Sequence, residues 1–228
     1  MGPDSHVLTF PVNHGETLNI VAFHTNSDPW PDFARLTRPA KREDAIRDYE
    51  GFGPNVQALL RLTKPDLDCV GFQWCCKSNL WLIFLQWAIF DLGDHPVPTF
   101  YKGRICISGD AAHATSPHHG AGAGFVIEDS AILAALLEDP RVKTPKDLEA
   151  VFAAFDANRR ERTQGLVQSS RHMGNLYEWR VEGVGDDLKK IEKEINERNA
   201  VIWNVDVKEF VEDAKKELGK RLKSSSML

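Results

Sequence analysis

The apolar pattern in the first quarter of the chain predicts a β-hairpin followed by two short helices. Residues 6–23 contain two β-rich stretches, HVLTFPV and TLNIVAF, on either side of Asn13-His14-Gly15-Glu16. An Asn-x-Gly sequence suits the turn of a hairpin. Residues 42–62 then carry apolar side chains at helical spacing, interrupted by Gly51, Gly53 and Pro54. Because Gly and Pro break helices, we expect two helices that meet at a turn.

The last third of the chain has the apolar spacing of amphipathic helices. Three stretches repeat the i, i+3, i+4, i+7 pattern. Their apolar members are Leu148, Val151, Phe152 and Phe155; then Leu188, Ile191 and Ile195; then Val207, Phe210, Val211, Ala214 and Leu218. We interpret these stripes as core-facing surfaces.

The middle of the chain, residues 103–139, differs from both ends. Its apolar alternation predicts a strand over residues 104–108, which Gly109 and Asp110 terminate. A loop rich in Gly, Ala, His and Pro follows and ends in GAGAG at residues 120–124. We expect a helix to begin at residues 122–124 and to run to about Leu137. Its predicted packed side consists of Val126, Leu133 and Leu137.

The chemistry of this loop suggests a ligand with two kinds of polar group. A helix start presents free N–H groups and a partial positive charge, which favour an anion or a polarised carbonyl oxygen. Asp110 at the strand end is an acceptor suited to the hydroxyls of a sugar or polyol, and ligands of α/β sheets bind beyond the carboxyl ends of strands. Such a ligand carries hydroxyls at one end and an electron-rich carbonyl at the other.

Composition and charge narrow the class of protein. The 228 residues are 42% hydrophobic and carry a net charge of −5, which argues against nucleic-acid binding because that requires a concentrated basic face. No N-terminal leader pattern is present, and the longest apolar run, residues 80–90, is too short to span a bilayer. The spacing of the four cysteines indicates neither a disulfide framework nor a zinc site. We therefore expect a soluble cytoplasmic protein that contacts no membrane.

The sequence GRICISGDAAHATSPHHGAGAGFVIED, residues 103–129, resembles the second flavin-contacting motif of FAD-dependent aromatic hydroxylases of the salicylate-hydroxylase-like group. The flanking WAIFDLGDHPVPTFYKGR and NRRERTQ, and a later WN-containing acidic segment, extend the resemblance. It implies an α/β (mixed α+β) class A flavin monooxygenase fold. That fold would supply part of the substrate-binding sheet, a strand-loop-helix that contacts FAD, and C-terminal helices.

The resemblance also implies roles for individual residues and a reaction. Asp110 would bond the ribityl chain of FAD, Pro117 would lie close to the isoalloxazine ring, and the amides around Gly122, Ala123 and Gly124 would face the N1–C2=O edge. Members of the family reduce FAD with NAD(P)H, form a flavin C4a-hydroperoxide with O₂ and hydroxylate an electron-rich aromatic or enol carbon. A phenolic or polyketide-type molecule of secondary metabolism would be the substrate. The resemblance assigns no catalytic side chain.

The family's N-terminal G-x-G-x-x-G unit, which binds the ADP half of FAD, has no counterpart here. Because the opening MGPDSHVLTFPV resembles the middle of the family's substrate-binding sheet, we expect the chain to be a C-terminal portion. We predict a partial substrate-binding domain at residues 1–95, a flavin-ring-contacting segment at 96–140 and a helical region at 141–228. Residues 69–86 have no counterpart in the resemblance, so we hypothesise that they are either translated intron or an ordinary apolar insertion.

Two other classes of function compete with a flavin enzyme. Without the ADP-binding half, the chain could be a catalytically inactive remnant or an interaction module. His113, His118 and His119 raise the alternative of a metal site, although no carboxylate or Cys completes a first shell. We interpret His113 as a structural hydrogen-bonding residue. We interpret Arg159, Arg160 and Arg162 as a solvated or ion-paired face.

Overall fold

The computed structural model describes residues 1–63 and 85–225. Their backbone combines α-helices with small antiparallel sheets, which confirms the mixed α and β class. The described residues divide into two compact units, one within Met1–Ile89 and Asn175–Asp186, the other within Phe90–Gly174 and Asp187–Leu228. The functional division predicted at residues 95 and 140 stays a prediction, since compactness does not assign function.

The first unit begins with the predicted hairpin. Strands β1 (Ser5–Val12) and β2 (Thr17–His24) pair in antiparallel register, with Ser5 opposite His24 and Val12 opposite Thr17. A 3-10 turn at Asn13–Gly15 joins them, and Asn13 and His14 both take positive φ there. Turn residues with left-handed backbone are what a tight hairpin requires. The hairpin prediction is confirmed.

The rest of the first unit consists of a short sheet, two helices and a returning segment. Strand β3 (Thr37–Pro39) pairs with β4 (Leu85–Trp87), and helices α1 (Arg42–Asp48) and α2 (Pro54–Leu62) flank the predicted turn. Residues 175–186 return to the hairpin through Glu178, which accepts a hydrogen bond from Thr25 at 2.6 Å and contacts the buried His6. Two helices that meet at a turn were predicted, and this is confirmed; the second begins at Pro54.

The hypothesis about residues 69–86 lies almost entirely outside the described residues. Of that segment, the structure describes only the start of β4, where the backbone of Gln86 pairs with Arg38 and its side-chain oxygen accepts a hydrogen bond from Arg38 Nε at 2.7 Å. The two explanations for the segment stay predictions.

The second unit contains residues 103–129, the segment that resembles a flavin-contacting motif. Strands β5 (Tyr101–Lys102) and β6 (Ile105–Cys106) form a two-residue hairpin around Gly103. The predicted strand over residues 104–108 is therefore wrong in length. Ile105 is 72% exposed, so the apolar alternation that suggested a longer half-buried strand does not correspond to a buried face.

Helices make up most of the second unit. They are α3 (Asp110–His113), α4 (Gly122–Leu137), α5 (Leu148–Tyr177, whose last three residues belong to the first unit), α6 (Leu188–Trp203) and α7 (Val207–Ser225). The predicted bounds of α4 are confirmed. No described helix combines the length and hydropathy that crossing a membrane requires.

The core of the second unit lies where α4, α5 and α7 pack together. Its fully buried members come from all three helices and from the segment before β5; they include Phe100, Ile132, Leu136, Val151, Phe155 and Leu218. Burying a side chain of this size stabilises a fold by about 1.5–3 kcal/mol. The apolar stripes predicted for α5 and α7 thus face the core.

The packed side predicted for α4 is correct for Leu133, which packs against the core cluster, and wrong for Val126 and Leu137. Val126 and Leu137 are 38% and 46% exposed, whereas the buried residues are Phe125, Glu128, Asp129, Ile132 and Leu136. These five still follow the helical period, but two of them are acidic. Counting apolar residues alone therefore selected a neighbouring face of the helix.

Candidate flavin site

Asp110 begins α3 directly after a glycine with a rare backbone conformation. Gly109 has φ 60° and ψ −145°, which lies near a region almost exclusive to glycine. The carbonyl of Gly109 accepts hydrogen bonds from the amides of Ala112 and His113, so the chain turns into the helix at once. The Asp110 side chain is exposed, and no described residue donates a hydrogen bond to its carboxylate. That carboxylate is available to accept hydrogen bonds from a ligand.

Pro117 lies at the start of a 3-10 turn, Pro117–His119, and is exposed. The residues on either side of it are anchored to α5. Ser116 donates to Ser170 Oγ at 3.1 Å, and Ser170 Oγ donates back to the Ser116 carbonyl at 2.5 Å. Pro117 is therefore exposed to solvent next to a residue, Ser116, that is hydrogen-bonded to α5.

His119 provides the second anchor of this loop. Its Nε2 lies 2.9 Å from Ser169 Oγ on α5, and its Nδ1 lies 3.2 Å from Asn199 Oδ1 on α6. Burial lowers the pKa of His119 despite the opposing hydrogen bond to Asn199. A neutral imidazole suits both neighbours, because it can donate to the amide oxygen and accept from the hydroxyl.

At the start of α4, three backbone donors have no acceptor among the described residues. Gly120 takes a left-handed conformation (φ 63°, ψ 16°), and the helix then begins at Gly122 with no side-chain cap. The first helical hydrogen bond runs from the Phe125 amide to the Ala121 carbonyl. No described residue accepts from the amides of Gly122, Ala123 and Gly124. These N–H groups, together with the positive end of the helix dipole, favour a negative or carbonyl group.

Packing within the protein does not explain the small residues at this helix start. A Cβ atom added at Gly122 would lie 3.7 Å from Thr115 Cγ2, and one at Gly124 would lie 4.0 Å from Trp203. Both are ordinary van der Waals contacts, and Ala123 is exposed. Small side chains at this position permit a ligand to approach the backbone closely.

The predicted site residues thus share one segment, but no hydrogen bond among the described residues joins Asp110, Pro117 and Gly122 to each other.

The structure adds a group that the sequence patterns missed: Asp129 and Glu128 on α4, paired with Arg159 and Arg162 on α5. Arg159 is fully buried and Arg162 nearly so, whereas Arg160 is 47% exposed. The interpretation of these arginines as a solvated or ion-paired face is correct for the ion pairing and wrong for the exposure of Arg159.

The three histidines of the loop have different neighbours. His113 lies 2.7 Å from Asp129, which fits its predicted structural role, whereas His118 Nδ1 lies 3.0 Å from Ser116 Oγ. His119 contacts Ser169 and Asn199. Within residues 1–63 and 85–225, no three His, Cys, Asp or Glu side chains are grouped as a metal site would require.

Known proteins match the same segment of the chain. A family model described as "FAD binding domain" matches residues 76–170, a span that includes Asp110, Pro117, the start of α4 and the paired charges. An FAD-dependent monooxygenase, orf3, of Aspergillus niger is 43% identical over 217 residues, which cover 91% of this chain and 45% of that protein. Salicylate hydroxylase asL1 of Sarocladium schorii is 35% identical, with 95% of this chain and 45% of the relative covered.

A solved structure agrees with these relatives. The structure described as a salicylate hydroxylase substrate complex superposes with a TM-score of 0.76 at 34% identity, covering 93% of this chain and 47% of that chain. The chain spans about half the length of the curated relatives it matches. Over nearly its whole length, the chain is therefore similar to about half of each of these FAD-dependent monooxygenases, which include a salicylate hydroxylase.

Proposed function

We propose that this chain supplies the flavin-facing part of an FAD site in a monooxygenase. In that site the Asp110 carboxylate accepts hydrogen bonds from ribityl hydroxyls, and Pro117 lies against the isoalloxazine ring. The amides of Gly122, Ala123 and Gly124 donate to the N1–C2=O edge. The observation that carries the proposal is that one short segment holds three helix-start amides and one carboxylate for which the described residues supply no hydrogen-bond partner.

The polar groups of this segment fit the two ends of a ribityl-flavin. Reduced flavin carries negative charge at N1–C2=O, and a helix start stabilises a nearby negative charge by about 0.3–1 kcal/mol at an exposed position. A carboxylate is an acceptor only, so it suits a row of hydroxyl donors. Bound FAD, once reduced by NAD(P)H, would supply the activation of O₂ that hydroxylates an aromatic or phenolic, polyketide-type small molecule. The residues of this chain orient the ring and stabilise charge on it.

Flavin titration of the purified chain tests the proposal directly. The proposed contacts involve only the ring and the ribityl chain, so riboflavin is expected to bind with a Kd within about threefold of that of FAD, a difference of about 0.65 kcal/mol, which is less than an average hydrogen bond. ADP is expected not to compete. Quenching of flavin fluorescence gives all three values. A chain that binds neither flavin would overturn the proposal and favour a non-catalytic role for this fold.

Replacing Asp110 by alanine is expected to weaken flavin binding about tenfold, which corresponds to roughly 1.4 kcal/mol of lost hydrogen bonding. The free energy of unfolding should change by less than about 0.5 kcal/mol, because the side chain is exposed and has no described partner. Fluorescence titration and urea unfolding measure the two quantities. Asp213→Ala, at an exposed ion pair on α7, is the matched control. Equal flavin affinities of the two variants would remove Asp110 from the site.

Ala123→Pro tests the backbone donors without changing a side-chain contact. Proline is tolerated in the first turn of a helix, where its missing N–H has no helical acceptor. The variant should fold normally and bind flavin about tenfold more weakly, since one hydrogen bond to a charged group is lost. Ala123→Ser, which keeps the N–H, should bind as the unmodified chain does. If the proline variant also binds flavin normally, the start of α4 does not contact the cofactor.

A further inference from the structure

The Asp129 carboxylate holds the chain around Asp110 on both sides. The side chain of Asp129 is 1% exposed. Its Oδ2 accepts a hydrogen bond from the Gly109 amide at 3.1 Å and lies 2.7 Å from His113 Nε2. Gly109 precedes Asp110, and His113 ends the same four-residue helix. A single helical turn is not stable by itself, so α3 depends on this carboxylate for its geometry.

Asp129 is also rigidly connected to the start of α4. It is the eighth residue of that helix, which begins at Gly122. Seven residue steps along an α-helix correspond to about 10 Å, with a fixed rotation about the axis. The position of Asp129 therefore sets how far the free amides of α4 lie from the Gly109–Asp110 turn.

Arg159 and Arg162 fix α4 in turn. Arg159 Nε donates to Asp129 Oδ1 at 2.7 Å, and Arg159 Nη1 lies 2.9 Å from Glu128 Oε2. Arg162 donates twice to Glu128, at 2.9 and 2.8 Å, and once to the Ile202 carbonyl of α6 at 3.1 Å. Two carboxylates and two guanidinium groups thus connect α4 to α5 and α6.

Stability alone does not account for these buried charges. Replacing a buried ion pair by well-packed apolar residues is often neutral or stabilising, because desolvation offsets the attraction. What such a pair supplies is a defined geometry. Burial raises the pKa of Asp129, but hydrogen bonds from His113 and Arg159 outweigh burial and hold the pKa below its usual value. Asp129 therefore stays an acceptor for all three donors at neutral pH.

We infer that Asp129 is a positioning residue that aligns the two flavin contacts, the Asp110 carboxylate and the free amides of α4, through one buried side chain. The inference rests on the proposed flavin site, because it assigns to Asp129 the spacing of the groups that form that site. Asp129 itself touches no flavin atom in this arrangement.

The test compares Asp129→Asn with Asp139→Asn in the full chain. Asp139 is a matched control because it follows the same helix, is 7% exposed and is paired with Arg141 through two hydrogen bonds of 2.7 Å. It contacts neither Gly109 nor the start of α4. Two readouts are used: the Kd for riboflavin by fluorescence, and amide hydrogen exchange, with no flavin present, at Gly109, Ala112 and His113, whose amides donate to Asp129 or to the Gly109 carbonyl.

Asp129→Asn is expected to weaken riboflavin binding about tenfold, which equals the loss of about one hydrogen bond in free energy, and to speed exchange at Gly109, Ala112 and His113. Asp139→Asn should lower thermal stability while leaving both readouts unchanged. If the two variants shift both readouts alike, Asp129 is merely structural and the inference is overturned. If the unmodified chain binds no flavin, the proposed function fails, and the exchange readout still decides whether Asp129 holds the segment. Should Asp129→Asn fail to fold, His113→Phe removes one of the three donors and should shift both readouts in the same direction by less.

Discussion

Arg159→Met is expected to lower the free energy of unfolding by about 3–5 kcal/mol at pH 7, because it leaves the buried Asp129 carboxylate without its arginine counter-charge. Arg159 is fully buried, and its guanidinium pairs with both Asp129 and Glu128. Methionine fills much of the side-chain volume, so loss of charge and of hydrogen bonds dominates over a cavity. Urea unfolding measures the loss.

The pH dependence identifies the cause of that loss. In the unmodified chain the lowered pKa of Asp129 means that its contribution to stability is present above the unfolded pKa near 3.8 and is lost as pH falls through the folded pKa. Without Arg159, burial outweighs the remaining hydrogen bonds and raises the pKa of Asp129. The folded variant then binds the proton more tightly than the unfolded chain does. The loss of unfolding free energy in Arg159→Met is therefore largest at pH 7. It becomes smaller as pH falls toward about 4, because the buried carboxyl of the variant takes up a proton over this range.

Arg160→Met is the control for this experiment. Arg160 adjoins Arg159 in the chain, is 47% exposed and pairs with Asp156 within its own helix at 3.3 Å. Exposed pairs of this kind contribute about 0–1 kcal/mol. Equal losses for the two variants, or an Arg159→Met deficit that does not change with pH, would contradict the assignment of a buried counter-charge.

Gly109→Ala is expected to cost about 1–3 kcal/mol in the free energy of unfolding and to abolish measurable flavin binding at micromolar concentrations. The cost follows from the backbone, because φ 60° with ψ −145° is close to a region that only glycine occupies readily. The added Cβ would also lie 3.4 Å from Val126 Cγ2, a tight contact with α4. Relief of this strain moves the peptide that bonds to Asp129 and displaces Asp110 with it.

Gly103→Ala separates backbone strain from position. Gly103 also has positive φ, 57°, but it lies in the turn between β5 and β6, and a Cβ there meets no atom within 4 Å. Gly103→Ala should lower the free energy of unfolding by about 1 kcal/mol, the usual penalty for a side chain in the left-handed region. It should leave flavin affinity unchanged. Thermal unfolding and fluorescence titration distinguish the two variants. A Gly109→Ala chain that binds flavin as well as Gly103→Ala does would show that the turn does not set the position of Asp110.

The elements predicted best from sequence are those determined by local chemistry. The hairpin turn follows from Asn13 and Gly15, the break between α1 and α2 follows from Gly53 and Pro54, and the bounds of α4 follow from GAGAG and the apolar run after it. In each case the residues that decide the backbone conformation lie within a few positions of it. Such signals need no information about the rest of the chain.

The errors share a different cause. The packed face of α4 contains Glu128 and Asp129, which are buried only because Arg159 and Arg162, about thirty positions later, lie against them. An apolar pattern excludes acidic residues from a core by construction, and a run of arginines resembles a solvated surface. The sequence shows the acidic residues and the arginines, but it does not show which of them pair in the folded protein.

By itself, the sequence indicated which family the chain resembles: the motif of residues 103–129 resembles a flavin-contacting loop, and its glycines determine where a turn or a helix can begin. Only the tertiary structure decided how that loop is held, through the buried charges of Asp129, Glu128, Arg159 and Arg162. The physical reason is that backbone preference acts between neighbours in the chain, whereas a charge becomes tolerable inside a protein only when folding brings its counter-charge into contact.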